Sequence, residues 1–374
     1  MYFEDLEKIC GEEVEPFQRK GKLGIVDELK KIVMEASLPL RVEEVQPVGG
    51  GELGTEVRRE KGIDVVVFLE KSTKWPVEKA AFEAAKGLFL IEIAEYLERR
   101  QVESLLSTEG FLDVLYRDTA FRLWLCSRQE TCDDEGRLCL EHAGRLAVFF
   151  RCIARRFGLY RKASSVAKLF FSSKMVLGGG LSDELADCLV SFVLLEKAPK
   201  TLNEFLSEFL STVSGLTREK LQTVLSRCQK EAPVLSPAFS CPKHFSVEET
   251  ALECVREEAA AVLLGAEKSE RCFCGSVGVF SPPKKASFVF TPSKEILDGV
   301  FSALGGRKGA IERTVSGFGL CEYLAGHLRR KYGNSAVFLC DVRSGRFGIV
   351  PTKSTPRMFS ELSLLGTTQG DGSE

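Results

Sequence analysis

Val48-Gly49-Gly50-Gly51-Glu52-Leu53-Gly54-Thr55, followed by Gly62-Ile63-Asp64-Val65-Val66-Val67-Phe68-Leu69, decides how this 374-residue chain is read. Arg41 to Val48 alternates polar and apolar residues and reads as a strand; the glycines then supply a turn, and a short helix follows. Residues 63–69 are an apolar, β-branched run bounded by charge, as expected of a buried strand. Asp64 stands in that strand where two-metal phosphoryl-transfer chemistry needs a cluster of hard oxygen ligands. Two residues earlier, where a second acid would stand, the chain has Gly62. Gly50 and Gly51 occupy the places of a hydroxyl side chain, although the turn's backbone N–H groups could still cradle a phosphate. One carboxylate does not hold two divalent cations against phosphate charge, so the stretch reads as the frame of an enzyme without its ligands.

The third carboxylate of such a site comes from a later strand of the same sheet. Phe111 to Tyr116 and Thr119 to Cys126 read as a hairpin about Arg117-Asp118. The second of these strands is Thr119-Ala120-Phe121-Arg122-Leu123-Trp124-Leu125-Cys126 and contains no acid. Asp113 and Asp118 lie in the preceding strand and the turn. The degenerate site is therefore Gly49, Gly50, Gly51, Gly54, Thr55, Gly62 and Asp64, with no catalytic residue, no metal and no cofactor expected. The competing reading is a rearranged metal site in which Glu52, Glu56 or Glu60 supplies the absent oxygens.

Composition narrows the classes. Hydrophobic residues make up 44% and charged residues 28%, which is a globular balance, and the net charge of −2 confines any nucleic-acid surface to a local patch. Met1 to Lys20 is charged throughout, unlike a signal peptide, and no stretch of about 20 apolar residues offers a membrane span. The 13 cysteines lie mostly inside apolar segments, the pattern of reduced core thiols in a cytosolic or nuclear protein. Cys272 and Cys274, and Cys241 with His244, have poor zinc spacing. His142, His244 and His327 are scattered and form no nucleophile–base grouping. The Gly305–Gly309 loop reads as a surface loop.

Beyond the hairpin the periodicity predicts helices at 139–157, 161–177, 181–195, 202–212, 217–228 and 246–264, and earlier ones at 24–36 and from Trp75-Pro76 to Arg100. Short strands are expected near 273–280 and 286–291, a helix over 316–331, and a hairpin from Ala336–Val342 and Arg346–Val350. The fold class is α+β: an α/β domain over 1–135, a helical domain over 136–235, and a small α/β domain over 236–374 whose tail is disordered from about Gly366. The basic run at Arg151, Arg155, Arg156, Arg161, Lys162, Lys168 and Lys174 holds no acid and is interleaved with Phe157, Tyr160, Phe170 and Phe171. It reads either as a surface for RNA phosphates or as a solvated face paired with acids elsewhere.

The frame around Asp64 resembles that of nucleotidyltransferases. Phe68-Leu69-Glu70-Lys71-Ser72-Thr73-Lys74-Trp75-Pro76, with Ala80-Ala81 and Lys86, resembles an element of the Nrap family of nucleolar RNA-associated proteins. Phe121-Arg122-Leu123, Ser165-Val166-Ala167-Lys168, Leu181-Ser182-Asp183-Glu184-Leu185, Asn203-Glu204-Phe205-Leu206 and the hairpin from Phe338 to Pro351 are similar to further elements in the same order. Lys168-Leu169-Phe170 stands where that family has K-R-W. The resemblance implies an inactive nucleotidyltransferase-like domain, a helical domain of poly(A)-polymerase or oligoadenylate-synthase type, and one copy of a unit the family carries twice. It further implies a non-catalytic component of the small-subunit processome, in the nucleus and nucleolus. Pre-rRNA or other structured RNA and ribosome-assembly proteins in a large ribonucleoprotein particle would be its partners, with no membrane. The alternatives are an active RNA nucleotidyltransferase and a dimerising RNA-associated module of the same fold.

Overall fold

The computed structural model describes residues 22–36, 41–48, 63–70, 76, 78–106, 111–117, 119–127, 134–177, 180–233 and 247–268. It also describes 279–280, 286, 288–293, 295–296, 324, 327–332, 336–341, 346–351 and 366–368, with the single residues 6, 239 and 245. The first part is built from α1 (Lys22–Met34), β1 (Val42–Pro47), β2 (Ile63–Leu69), α2 (Lys79–Arg99), β3 (Glu103–Leu106), β4 (Phe111–Tyr116) and β5 (Thr119–Ser127). The five strands form one sheet in the order β1-β2-β5-β4-β3. β2 and β5 run parallel, and every other neighbouring pair is antiparallel.

Strand alternation sends Ile63, Val65, Val67 and Leu69 of β2, with Phe121, Leu123 and Leu125 of β5, to one face of the sheet. There they meet Val26, Leu29 and Val33 of α1 and Phe89, Leu90, Ile93 and Leu97 of α2. Each such side chain removed from water contributes about 1.5–3 kcal/mol before entropy is counted. The opposite face carries Val66, Phe68, Trp124 and Cys126, and is met by Ala143 of α3 (Asp134–Arg156). The β4–β5 turn needs positive φ, and Arg117 takes 49° there. It is fixed by its ion pair with Glu28 of α1 at 2.8 Å, and Glu28 also accepts from the Tyr116 hydroxyl at 3.0 Å.

α3 leads into a helical body of α4 (Tyr160–Ser173), α5 (Asp183–Lys197), α6 (Leu202–Ser214), α7 (Arg218–Glu231) and α8 (Glu249–Lys268). Local chemistry sets the starts. Ser182 accepts from the backbone of Leu185, Thr217 does the same for Lys220, and Thr201 with Glu204 forms a full capping box. α4 runs through the middle of this body, with Ala163 to Ser173 buried. One core joins Leu146, Phe149, Phe150 and Ile153 of α3 to residues of α4 to α8. α3 therefore packs on the sheet near its middle and in the helical core further along.

A second sheet, in the order β7-β8-β6-β9, combines β6 (Phe288–Pro292), β7 (Ala336–Asp341), β8 (Arg346–Pro351) and β9 (Gly366–Thr368). Gly348 lets β8 sit close to the helical body, since a Cβ there would come within 2.6 Å of Met175 Cε. The tail expected to be disordered from Gly366 instead supplies β9. Thr368 pairs with Phe290 and Gly366 with Pro292, so the open edge of β6 gives this polar segment backbone partners that composition does not reveal. α2 starts at Lys79, later than the expected Trp75-Pro76, and β3 is a strand the periodicity does not predict.

Candidate functional site

Asp64 lies on the sheet face turned toward α3, not the face packed on α1 and α2. In register it neighbours Arg122 on the parallel strand β5, and Arg122 neighbours Asp113 on the antiparallel strand β4. One row across three strands therefore reads Asp64, Arg122, Asp113. Neighbouring strands lie about 4.8 Å apart, so the middle position of the row, next to Asp64 on the parallel strand, is an arginine and not an acid. Arg122 Nε is 3.0 Å from Asp113 Oδ1 and Nη2 is 3.5 Å from Oδ2, a forked pair in which Asp113 is buried. The guanidinium carbon lies 3.9 Å from the Phe111 ring centroid, which adds a cation–π contact.

The next row places Phe111 beside Trp124 and Trp124 beside Val66. The Phe111 and Trp124 rings lie 4.9 Å apart. From there Trp124 Nε1 donates to Asp64 Oδ1 at 3.1 Å. The backbone oxygen of Asp64 accepts from Val48 N at 2.9 Å, holding the end of β1 against β2. The carboxylate the sequence singled out is thus engaged by an indole N–H, and its register neighbour on β5 is an arginine rather than an acid. Among the described residues, no three His, Cys, Asp or Glu side chains gather into a metal-ligand group. Gly49, Gly50, Gly51, Gly54, Thr55 and Gly62 lie outside the described residues, as do Glu52, Glu56, Glu60 and the Gly305–Gly309 loop.

Trp124 and Asp113 carry no motif that marks them in the sequence, and the resemblance that includes Phe121-Arg122-Leu123 assigns Arg122 no partner. The pairing of Asp113 with Arg122 was within reach, because a two-residue turn at Arg117-Asp118 fixes the antiparallel register of the whole hairpin. The neighbourhood of Asp64 and Arg122 was not, since parallel register depends on a crossover rather than a turn.

The basic run divides. Arg155, Arg156, Arg161 and Lys162 are exposed and Arg151 partly so. Arg156 pairs with Glu231 at 3.0 Å and lies over Phe157. Lys168 and Lys174 are a correction: both are fully buried, Lys168 paired with Asp187 at 3.1 Å and Lys174 with Glu258 at 3.3 Å. An ammonium enters a core only with an acid to meet it, and these acids come from α5 and α8. Tyr160, Phe170 and Phe171 are core residues too, so they are not stacking platforms. Burial pushes the Tyr160 phenol well above its ordinary range, and the nearby charge of Asp187 adds to the effect. Arg145, also exposed on α3, extends the surface run beyond the residues picked from sequence. Cys126, Cys188, Cys228, Cys254 and Cys340 are buried thiols outside any disulfide, and Cys152 is an exposed one. Burial pushes the Cys188 thiol up, away from nucleophilic use.

A mixed sheet carrying an acid on its second strand, beside a parallel later strand, joined to a helical body, is a nucleotidyltransferase-like α+β fold. Residues 23–132 match the family model of the Nrap protein nucleotidyltransferase domain 4, so the resemblance to the Nrap family holds over that segment. The match includes Trp75-Pro76 and all of β5, and stops short of α3.

Solved structures of similar form include Cid1 in complex with its short product ApU, at 13% identity, covering 75% of this chain and 100% of that one with a TM-score of 0.44. The GLD-2/RNP-8 complex is similar at 11% identity, covering 75% and 98%, with a TM-score of 0.48. Terminal uridylyl transferase 4 from Trypanosoma brucei with bound UTP is similar at 12% identity, covering 68% and 96%, with a TM-score of 0.43. No curated protein matches the chain.

Proposed function

We propose that this chain is a non-catalytic, RNA-associated component of the small-subunit processome, acting in pre-rRNA processing in the nucleolus. The observation that carries the loss of catalysis is the row Asp64, Arg122, Asp113, with Trp124 donating to Asp64. Two divalent cations would need three or more oxygens converging on them, and here the position beside Asp64 on β5 is Arg122, which supplies no oxygen and engages the carboxylate of Asp113. The Nrap match over residues 23–132 supports the ribosome-assembly setting. The exposed cations Arg155, Arg161 and Lys162, with the partly exposed Arg151, support RNA backbone contact, independent of sequence. Binding to pre-rRNA and to assembly proteins would make the chain a holder of other parts.

The test is primer extension. Purified protein with Mg²⁺ or Mn²⁺, each NTP in turn and a labelled RNA primer is expected to add no nucleotide. Extension that disappears in Asp64→Ala would overturn the proposal and establish the rearranged site, with glutamates of the 49–62 segment as ligands.

A further inference from the structure

The outer face of α2 is apolar where a surface helix should be polar. Its inner face buries Phe89, Leu90, Ile93 and Leu97 against the sheet. On the opposite side Leu88 is 62% and Ile91 40% exposed, and Ala84 lies one turn earlier on the same stripe. Met34, 49% exposed, stands at the end of α1 in the same helical layer, so three of the six large apolar side chains exposed among the described residues belong to it. Leu88 and Ile91, three residues apart, are neighbours on the helix surface, and together they offer a partner apolar area to cover.

The face also has a sign. The stripe continues from Ile91 into the exposed Glu95 and Glu98, with Glu92 beside them. The two arginines at this end are turned elsewhere. Arg99 donates to the Glu95 carbonyl at 3.2 Å and lies over the Tyr96 ring; Arg100 pairs with Glu35 at 3.1 Å and donates to the Tyr96 hydroxyl at 2.7 Å. A Cβ added at Gly87, beside Leu88, would meet nothing within 4 Å, so a second backbone can come close there.

We propose that the outer face of α2 docks a basic amphipathic helix of another protein, its apolar side chains on Leu88 and Ile91 and its Lys or Arg residues on Glu95 and Glu98. Such a partner reads the face by apolar anchors at helical spacing, and charge fixes its direction. The site lies on the sheet face opposite Asp64 and stands whether or not that carboxylate is catalytic.

The probes are two fluorescent synthetic helices with the same apolar positions, one flanked by Lys and Arg and one by Glu, titrated against the full chain by anisotropy. The basic helix is expected to bind and to weaken as salt rises, and the acidic helix not to bind. Leu88→Ser with Ile91→Ser is expected to weaken the basic helix by about 30-fold. Glu95→Lys with Glu98→Lys should exchange the preference for the acidic helix. All four positions are exposed, and far-UV circular dichroism checks that each variant is folded. A labelled RNA titrated in parallel should bind each variant as it binds the parent chain. Failure of both helices to bind, or binding indifferent to these substitutions, overturns the proposal. So does a dimer in sedimentation that Leu88→Glu dissociates, because the face would then belong to a second copy.

Discussion

Lys168 and Arg155 belong to one basic run and meet opposite fates. Arg155 ends a helix whose outer side faces water, while Lys168 enters the middle of the helical body and meets Asp187, which also accepts from the Ser164 hydroxyl. Removing Lys168 leaves a buried carboxylate without its cation. Lys168→Ala is therefore expected to cost about 3–5 kcal/mol in urea unfolding. Charge reversal of Arg155, Arg161 and Lys162 should leave stability nearly unchanged, and in filter binding it should weaken RNA and reduce the salt slope by about one for each phosphate no longer neutralised. RNA binding that ignores those reversals moves the interface elsewhere. The difference was not legible in sequence: a lysine's neighbours along the chain say nothing about an acid on another helix. What can be read directly is that Gly62 stands two residues before Asp64 and that the strand Thr119–Cys126 holds no acid. That an arginine takes the central place needed the register.

At the scale of elements, the strong periodic segments gave themselves away. α4 to α7 lie close to their expected spans because apolar spacing and the caps Ser182, Thr201 and Thr217 point to the same boundaries. β3 has four residues, two of them Glu103 and Ser104, and no alternation long enough to register; it exists because β4 offers it an edge. β9 exists for the same reason. Among the caps, Thr201 matters most, since its hydroxyl accepts from Glu204 N at 3.1 Å while the Glu204 carboxylate receives the backbone N–H of both Lys200 and Thr201. Thr201→Ala is expected to lower stability by about 1 kcal/mol, and Thr201→Ser by much less, in chemical denaturation. Equal losses for the two would show that the methyl group, not the cap, is at work.

Across the whole molecule, α3 couples two cores. Gln46 of β1 reaches the Gly144 carbonyl at 3.5 Å and Ala143 packs by Trp124, while Leu146, Phe149 and Ile153 lie in the helical core. Calorimetry of the parent chain is expected to give one unfolding transition. Ala147→Pro, at a buried position just after Leu146, should break the helix and split the transition in two. A single shifted peak would mean that other contacts do the coupling. The arginine in the row of Asp64 also limits what position 122 tolerates. Placing an acid at Arg122 would strand the buried Asp113 and put about 3–5 kcal/mol at risk, a large share of the roughly 5–15 kcal/mol that holds an ordinary domain together. An acid there would need a coordinated second change at Asp113, with an unstable single variant between the two, so the pair is locked in step.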